Sequence, residues 1–160
     1  MQNNEPIKES IWADGVPTNV DPKFVLQVPE LLLMAVDFVV KNIVVPSGYK
    51  LTQAIADPKK LPNIICVKDE KIYSIAVVPF VYPNFAFLKD DIRIDFYNKA
   101  VENKTVPLFA PVGFASIDDA KAKAGLALKG DVFKTLFKGF VELTNDEKQD
   151  FIENPTYIKI

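Results

Sequence analysis

Residues 62–78, PNIICVKDEKIYSIAVV, decide the fold of this chain. Two runs rich in isoleucine and valine, 63–67 and 72–78, flank Lys68-Asp69-Glu70-Lys71, whose composition suits a tight turn. Apolar residues occupy both sides of each run, so neither strand offers a polar face to water. Such a hairpin belongs in the middle of a sheet that is covered on both faces. Pro79 and Pro83 are expected to end its second strand.

Working outward, the apolar run before the hairpin predicts a helix over residues 29–43, with Pro29 in the first turn, where a missing N–H costs nothing. Its charged residues, Glu30, Asp37 and Lys41, share one narrow stripe at 100° per residue. The remaining apolar surface needs cover, from the sheet, from the N-terminal segment or from a partner. The next region, up to Pro62, reads as an edge strand or loop with proline-marked turns. After the hairpin, a helix over 91–103 places Ile92, Phe96 and Ala100 on one face, with Asp90 or Asp91 as N-cap. A strand follows over 106–114. Ser116 and Asp119 then suggest a capping box for a helix over 117–129, closed by Gly130. Apolar positions 132, 133, 136, 137 and 140 predict another helix over 131–143, and a short one is expected near 146–153. The expected class is α/β, an α+β sandwich with a mixed central sheet flanked by helices and with extra C-terminal helices. Residues 1–22 read as an extended lead-in, held on the domain by Ile11 and Trp12, and 23–160 as a single domain.

Composition narrows the chemistry. The chain has no histidine and one cysteine, so Ser-His and Cys-His pairs, His-ligated metals and an internal disulfide are all excluded. Lone Cys66 lies in an apolar run and reads as a buried structural thiol. The net charge of −2 is evenly spread, with 9 acids and 8 bases in the first half, 12 and 11 in the second. Nothing there attracts nucleic acid strongly. The first ten residues lack a signal-peptide pattern, and the run at 31–45 is broken by Asp37 and Lys41, so a soluble cytoplasmic protein without a membrane span is expected. No cofactor motif is present.

The order helix, hairpin, helix, returning strand resembles the core of the PD-(D/E)XK nuclease superfamily, a restriction-endonuclease-like fold. Pro62-Asn63-Ile64-Ile65 looks like that family's first motif, with Asn63 at the acid. Ile75-Ala76-Val77-Val78 looks like the second, with Ala76 at the acid and Val78 at the lysine. On the following helix, residues 93–97 keep only Tyr97 of a Gln-x-x-x-Tyr pattern. In the family, two carboxylates hold a divalent metal that generates the attacking hydroxide, and the lysine orients water or phosphate. All three positions are degenerate here, so the resemblance implies a retained fold and a lost reaction.

A catalytically inactive domain that binds or scaffolds a protein is therefore the leading expectation, with the apolar helix around residues 31–45 as partner or homodimer surface. Lys68, Lys71, Lys89 and Arg93 are the candidate nucleic-acid contacts, though the acidic pI points to protein first. Two other readings are a phosphodiesterase with a displaced metal site at Glu30, Asp37, Asp69 or Asp91, and a small-molecule domain. In the latter, Phe80, Tyr82, Phe85, Phe87, Phe96 and Tyr97 would line a pocket.

Overall fold

The computed structural model describes residues 12–13, 16–17 and 21–158. Trp12–Ala13 (β1) and Val16–Pro17 (β2) pair antiparallel. The expected clamp by the side chains of Ile11 and Trp12 lies outside the described residues. After a 3-10 turn at Pro22–Phe24, the lead-in runs beside residues 127–129: the Leu26 N–H donates to the Ala127 carbonyl (2.9 Å), and the Lys129 N–H to that of Phe24 (2.8 Å).

Helix α1 (Val28–Val39) carries Pro29 in its first turn and continues as one π-helical turn, Val40–Val44. Glu30 accepts the Gln27 N–H at 2.9 Å and so closes the helix start. Three strands then form an antiparallel meander: β3 (Lys50–Ala54), β4 (Ile64–Lys68) and β5 (Lys71–Val81). The crossover helix α2 (Asp90–Glu102) leads to β6 (Val106–Ser116), which lies parallel to β5. The short helix α3 (Asp119–Lys123) and strands β7 (Phe133–Leu136), β8 (Phe140–Glu142) and β9 (Tyr157–Ile158) complete the chain. The sheet is mixed and seven-stranded, in order β3-β4-β5-β6-β8-β9, with β7 also on β6. The α/β class follows, with the hairpin in the interior of the sheet as its two-sided apolarity requires.

Each face of the sheet carries one core. Leu31, Leu32, Ala35, Val36 and Val39 of α1 pack on Ile64, Cys66, Ile75, Val77, Leu108 and Ala110. On the opposite face, Phe96 of α2 packs with Ala76, Ala86, Leu88, Phe109, Val141 and Leu143. The alternation along β5 assigns odd positions to the first core and even positions to the second. Burying each large side chain contributes about 1.5–3 kcal/mol, so these cores dominate the stability.

Several boundaries differ from expectation, each for a physical reason. Strand β5 runs through Pro79 to Val81 instead of stopping. The β4 ladder has already ended opposite Ile75, and the Val77 N–H on that side turns to a side chain. Pro79, two residues on, faces the same vacated edge, so its missing N–H breaks no ladder bond. In α2, Lys89 occupies the N-cap position and the aspartates fall in the first turn; the buried face is Arg93, Phe96 and Ala100, while Ile92 is exposed.

Of the extra C-terminal helices, the one expected over 117–129 shortens to α3 and the other two do not form. Asp118, not Ser116, caps α3, accepting the N–H groups of Ala120 and Lys121 at 3.0 and 3.2 Å, and Gly125 at φ 70° follows its end. Residues 131–143 fold as β7 and β8 around Gly139 (φ 132°), pairing one edge of β6 over residues 113–116 and 108–109. Their phenylalanines fit the pleat as well as they fit a helix. Residues 146–153 form bends, where the Asp150 carboxylate accepts the N–H groups of Glu153, Ile152 and Asn154. Those bonds lower its pKa.

Cys66 is fully buried, and burial pushes its thiol from 9.0 up to about 11. Tyr49, whose buried hydroxyl has no partner, is pushed from 10.0 to about 12 by desolvation first, then by Tyr73, Cys66 and Asp69. Both groups ionise more readily in the unfolded chain. Their stabilisation is therefore complete below pH 9 and is lost as pH rises from about 9 towards 12. Urea midpoints should fall across that range, less steeply in Cys66→Ala, and native protein at pH 8 should resist a thiol reagent that labels it once unfolded.

Candidate functional site

Three sequence positions converge at the open end of the hairpin. The β4–β5 register ends at Ile64 opposite Ile75, and one further step sets Asn63 beside Ala76. Val78 lies two residues along the same face of β5. Convergence brings no chemistry, because each side chain is already engaged. The Asn63 Oδ1 accepts the Val77 N–H at 2.7 Å, while its Nδ2 donates to the carbonyls of Ile55 (3.2 Å) and Lys60 (3.4 Å). Ala76 has 0% exposure, and Val78 packs against the α2-side core.

The scattered acids do not compensate. Helix α1 covers the other face of the sheet, so Glu30 and Asp37 are separated from Ala76 by the sheet itself. Glu30 pairs with Lys129 at 3.6 Å and Asp37 with Lys41 at 2.9 Å. Asp69 sits in the hairpin turn with φ 51°, and Asp91 caps the Ile92 N–H. Among the described residues, no three acids, cysteines or histidines gather where a metal ion could bind.

The four candidate nucleic-acid contacts are also dispersed. Lys68 and Lys71 face each other across the hairpin tip, a like-charge pair that Lys68 relieves by donating to the Ser47 carbonyl (2.8 Å) and covering the Tyr49 ring (4.9 Å). Lys89 lies past the far end of β5, about 33 Å of strand away. Arg93 is not at the surface: its exposure is 0%. Its Nη1 donates to the Thr144 carbonyl (2.6 Å), and Nη2 to Asp90 (3.0 Å) and the Asp146 carbonyl (2.8 Å). The guanidinium fastens the segment after β8 onto α2. The expected surface patch therefore breaks up, because one base is structural and the others are at opposite ends.

Two concave regions flank the engaged positions. A cleft of about 570 Å³ opens between the connection 55–62 and the C-terminal half of α2, with Lys59, Lys60, Asp95, Lys99 and Asn103 around it and Ser74, Phe96 and Ala100 within. Sequence reading missed it; the sole local signal is Asp57-Pro58-Lys59-Lys60, where the Asp57 Oδ1 accepts the Lys59 N–H at 2.9 Å in a turn that sets both lysines at the cleft. An apolar groove of about 260 Å³ lies at the far end of β5, lined by Phe80, Tyr82, Phe85, Leu136, Ile152 and Tyr157, with Lys138 at its margin. Of the aromatic set expected in one pocket, Phe80, Tyr82 and Phe85 meet here. Phe87 lines a neighbouring recess, Phe96 borders the polar cleft and Tyr97 packs in the core. The outer end of the Phe80 ring lies against Gly113, where an added Cβ would come within 2.3 Å of it, so glycine is what admits it.

Most of the apolar side of α1 is turned to the sheet and to Phe137, whose ring meets Phe38 at 6.0 Å. Val28, Leu33 and Val45 stay exposed, but Val28 and Leu33 stand about 140° apart around the helix and make no continuous patch. No helix of the described residues is long and apolar enough to cross a membrane.

Asn63→Asp should destabilise the fold by about 1–3 kcal/mol in urea unfolding, because a carboxylate cannot donate to the Ile55 and Lys60 carbonyls. Arg93→Met should cost about 3 kcal/mol, since four hydrogen-bonded partners lose a buried donor. Limited proteolysis should then cut between residues 144 and 154, where the wild-type chain resists, and Arg93→Lys should not restore protection.

No curated protein and no solved structure matches the chain. One family matches residues 29–143, a span that contains both helices packed on the sheet, the engaged hairpin positions and the polar cleft. The chain belongs to the family described as a domain of unknown function, DUF8840.

Proposed function

We propose that this chain is a catalytically inactive domain on a PD-(D/E)XK-like scaffold, working as a protein-binding or scaffolding module. The order α1, three-stranded meander, α2 and parallel β6 agrees with the element order that the resemblance implies. The observation that carries the reading is the state of the three motif positions. Asn63 uses both ends of its amide on backbone groups, Ala76 is sealed against Phe109 and Phe96, and Val78 adds to the same apolar core. A charged ligand set at these positions would have to be desolvated, at several kcal/mol per ion, whereas apolar filling stabilises.

The partner surface that best fits the exposed side chains lies at the far end of β5, not on α1. Tyr82, Phe85, Phe87, Ile152 and Tyr157 are all exposed there, and the groove and the recess beside it share Ile152. Phe85 and Phe87 are 63% and 58% exposed, an exposure typical of interface anchors.

Incubation with plasmid DNA, single-stranded DNA and RNA in Mg²⁺ or Mn²⁺ should give no product above a protein-free control. Cleavage that disappears in Asp37→Asn or Asp91→Asn would overturn the inactive reading. On the binding side, a Phe85→Ser/Phe87→Ser double variant should keep its circular dichroism spectrum and lose the partners that the wild-type chain retains. Equal retention by both would remove the aromatic surface from the proposal.

A further inference from the structure

We propose that the cleft between residues 55–62 and α2 binds a small phosphorylated molecule, with Lys59 and Lys60 as its anion contacts. The volume of about 570 Å³ falls within the roughly 300–1,000 Å³ of small-ligand sites. Its charge is lopsided. Lys59, Lys60 and Lys99 face it against one carboxylate, Asp95, and Lys99 holds that carboxylate at 3.0 Å. Lys59 and Lys60 have no acidic partner among the described residues. Two uncompensated lysines, consecutive in the chain, suit a dianionic phosphate, which lysine binds as a point charge.

The lysines are delivered by a braced loop. Asp57 turns the chain, accepting the Lys59 N–H on its side chain and the Lys60 N–H (3.0 Å) on its backbone carbonyl. Asn63 then grips both ends of the connection, taking the Ile55 and Lys60 carbonyls with its amide, while its own carbonyl accepts the Ile55 N–H at 2.7 Å. The loop is thus ordered before any ligand arrives, which lowers the entropic cost of binding.

The interior of the cleft defines the uncharged part of the ligand. The Ser74 hydroxyl is 95% buried with its residue and donates to Thr105 Oγ1 at 2.7 Å, and Thr105 donates onward to the Ala100 carbonyl (3.2 Å). The Ser74 proton is therefore committed, leaving its oxygen to accept. Phe96 and Ala100 supply apolar floor, and Gln53 and Asn103 also line the cleft. A phosphate ester whose organic part carries a hydroxyl donor, such as a sugar phosphate, meets all of these groups. Nothing is asked of Ala76 or Val78, so binding here is independent of whether the motif positions once held a metal.

The test is an amide-resolved NMR titration with sodium pyrophosphate and with ribose 5-phosphate, each against sodium chloride of equal ionic strength. Saturable shifts confined to residues 53–62 and 95–105 are expected at about 1 mM ligand, with ribose 5-phosphate also moving Ser74. The exposed double variant Lys59→Gln/Lys60→Gln should weaken both ligands at least tenfold, whereas Lys123→Gln/Lys134→Gln should not. Shifts reproduced by chloride, or affinity unchanged in Lys59→Gln/Lys60→Gln, would overturn the proposal. So would a single-stranded oligonucleotide that displaces pyrophosphate and binds the same residues more tightly, since the cleft would then belong to nucleic acid. DNA or RNA cleavage would sink the inactive reading, but it leaves this titration to be judged by its own outcomes.

Discussion

One amide organises this domain. The side chain of Asn63 accepts from β5 at 2.7 Å and donates to two carbonyls of the connection from β3. It thereby continues the hairpin past the end of its ladder and fixes the loop that carries Lys59 and Lys60. An amide can do this because it is donor and acceptor at once. A carboxylate at the same place would satisfy Val77 and repel the other two partners. Asparagine and aspartate differ here by one nitrogen for one oxygen, and only the nitrogen can hold the connection to the hairpin.

Around this point the sheet separates two unequal environments. The α1 face is a broad aliphatic core, continued by the π turn and by edge-to-face contacts of Phe137 with Phe38 and Phe140. The α2 face is narrower, and its ends are polar or open: the cleft at one end, the aromatic groove at the other. The groove opens where α2 leaves the far end of β5 uncovered, whereas the cleft runs alongside the C-terminal half of α2. A helix of 13 residues spans about 20 Å, against about 33 Å of strand beneath it. The uncovered end of β5 is where the aromatic groove has room.

The middle of the molecule was legible because its signals are local. Alternating Ile and Val around Lys-Asp-Glu-Lys announce the hairpin, and Pro29 marks the start of a helix. The C-terminal third was not legible, since Phe133, Leu136, Phe137 and Phe140 fit a helical stripe and a pleated edge equally. Only the unpaired edge of β6, supplied from earlier in the chain, decides between them. Arg93 was misread for a related reason. Its partners are carbonyls some fifty residues away, which no window of sequence reveals. The polar cleft joins Lys59 to Lys99 across the whole hairpin and crossover, so its charge is visible only after folding.

The Arg93 contacts also set what can vary. Apart from Asp90, every group that the guanidinium grips is a main-chain carbonyl, at Thr144, Asp146 and Glu147. A clasp of that kind is blind to side-chain identity. Thr144 apart, whose hydroxyl accepts the Asp146 N–H at 3.4 Å, the side chains on this strip are open to diversification while its backbone stays in register with α2. Selection on what this face touches is thereby decoupled from selection on what holds the face in place.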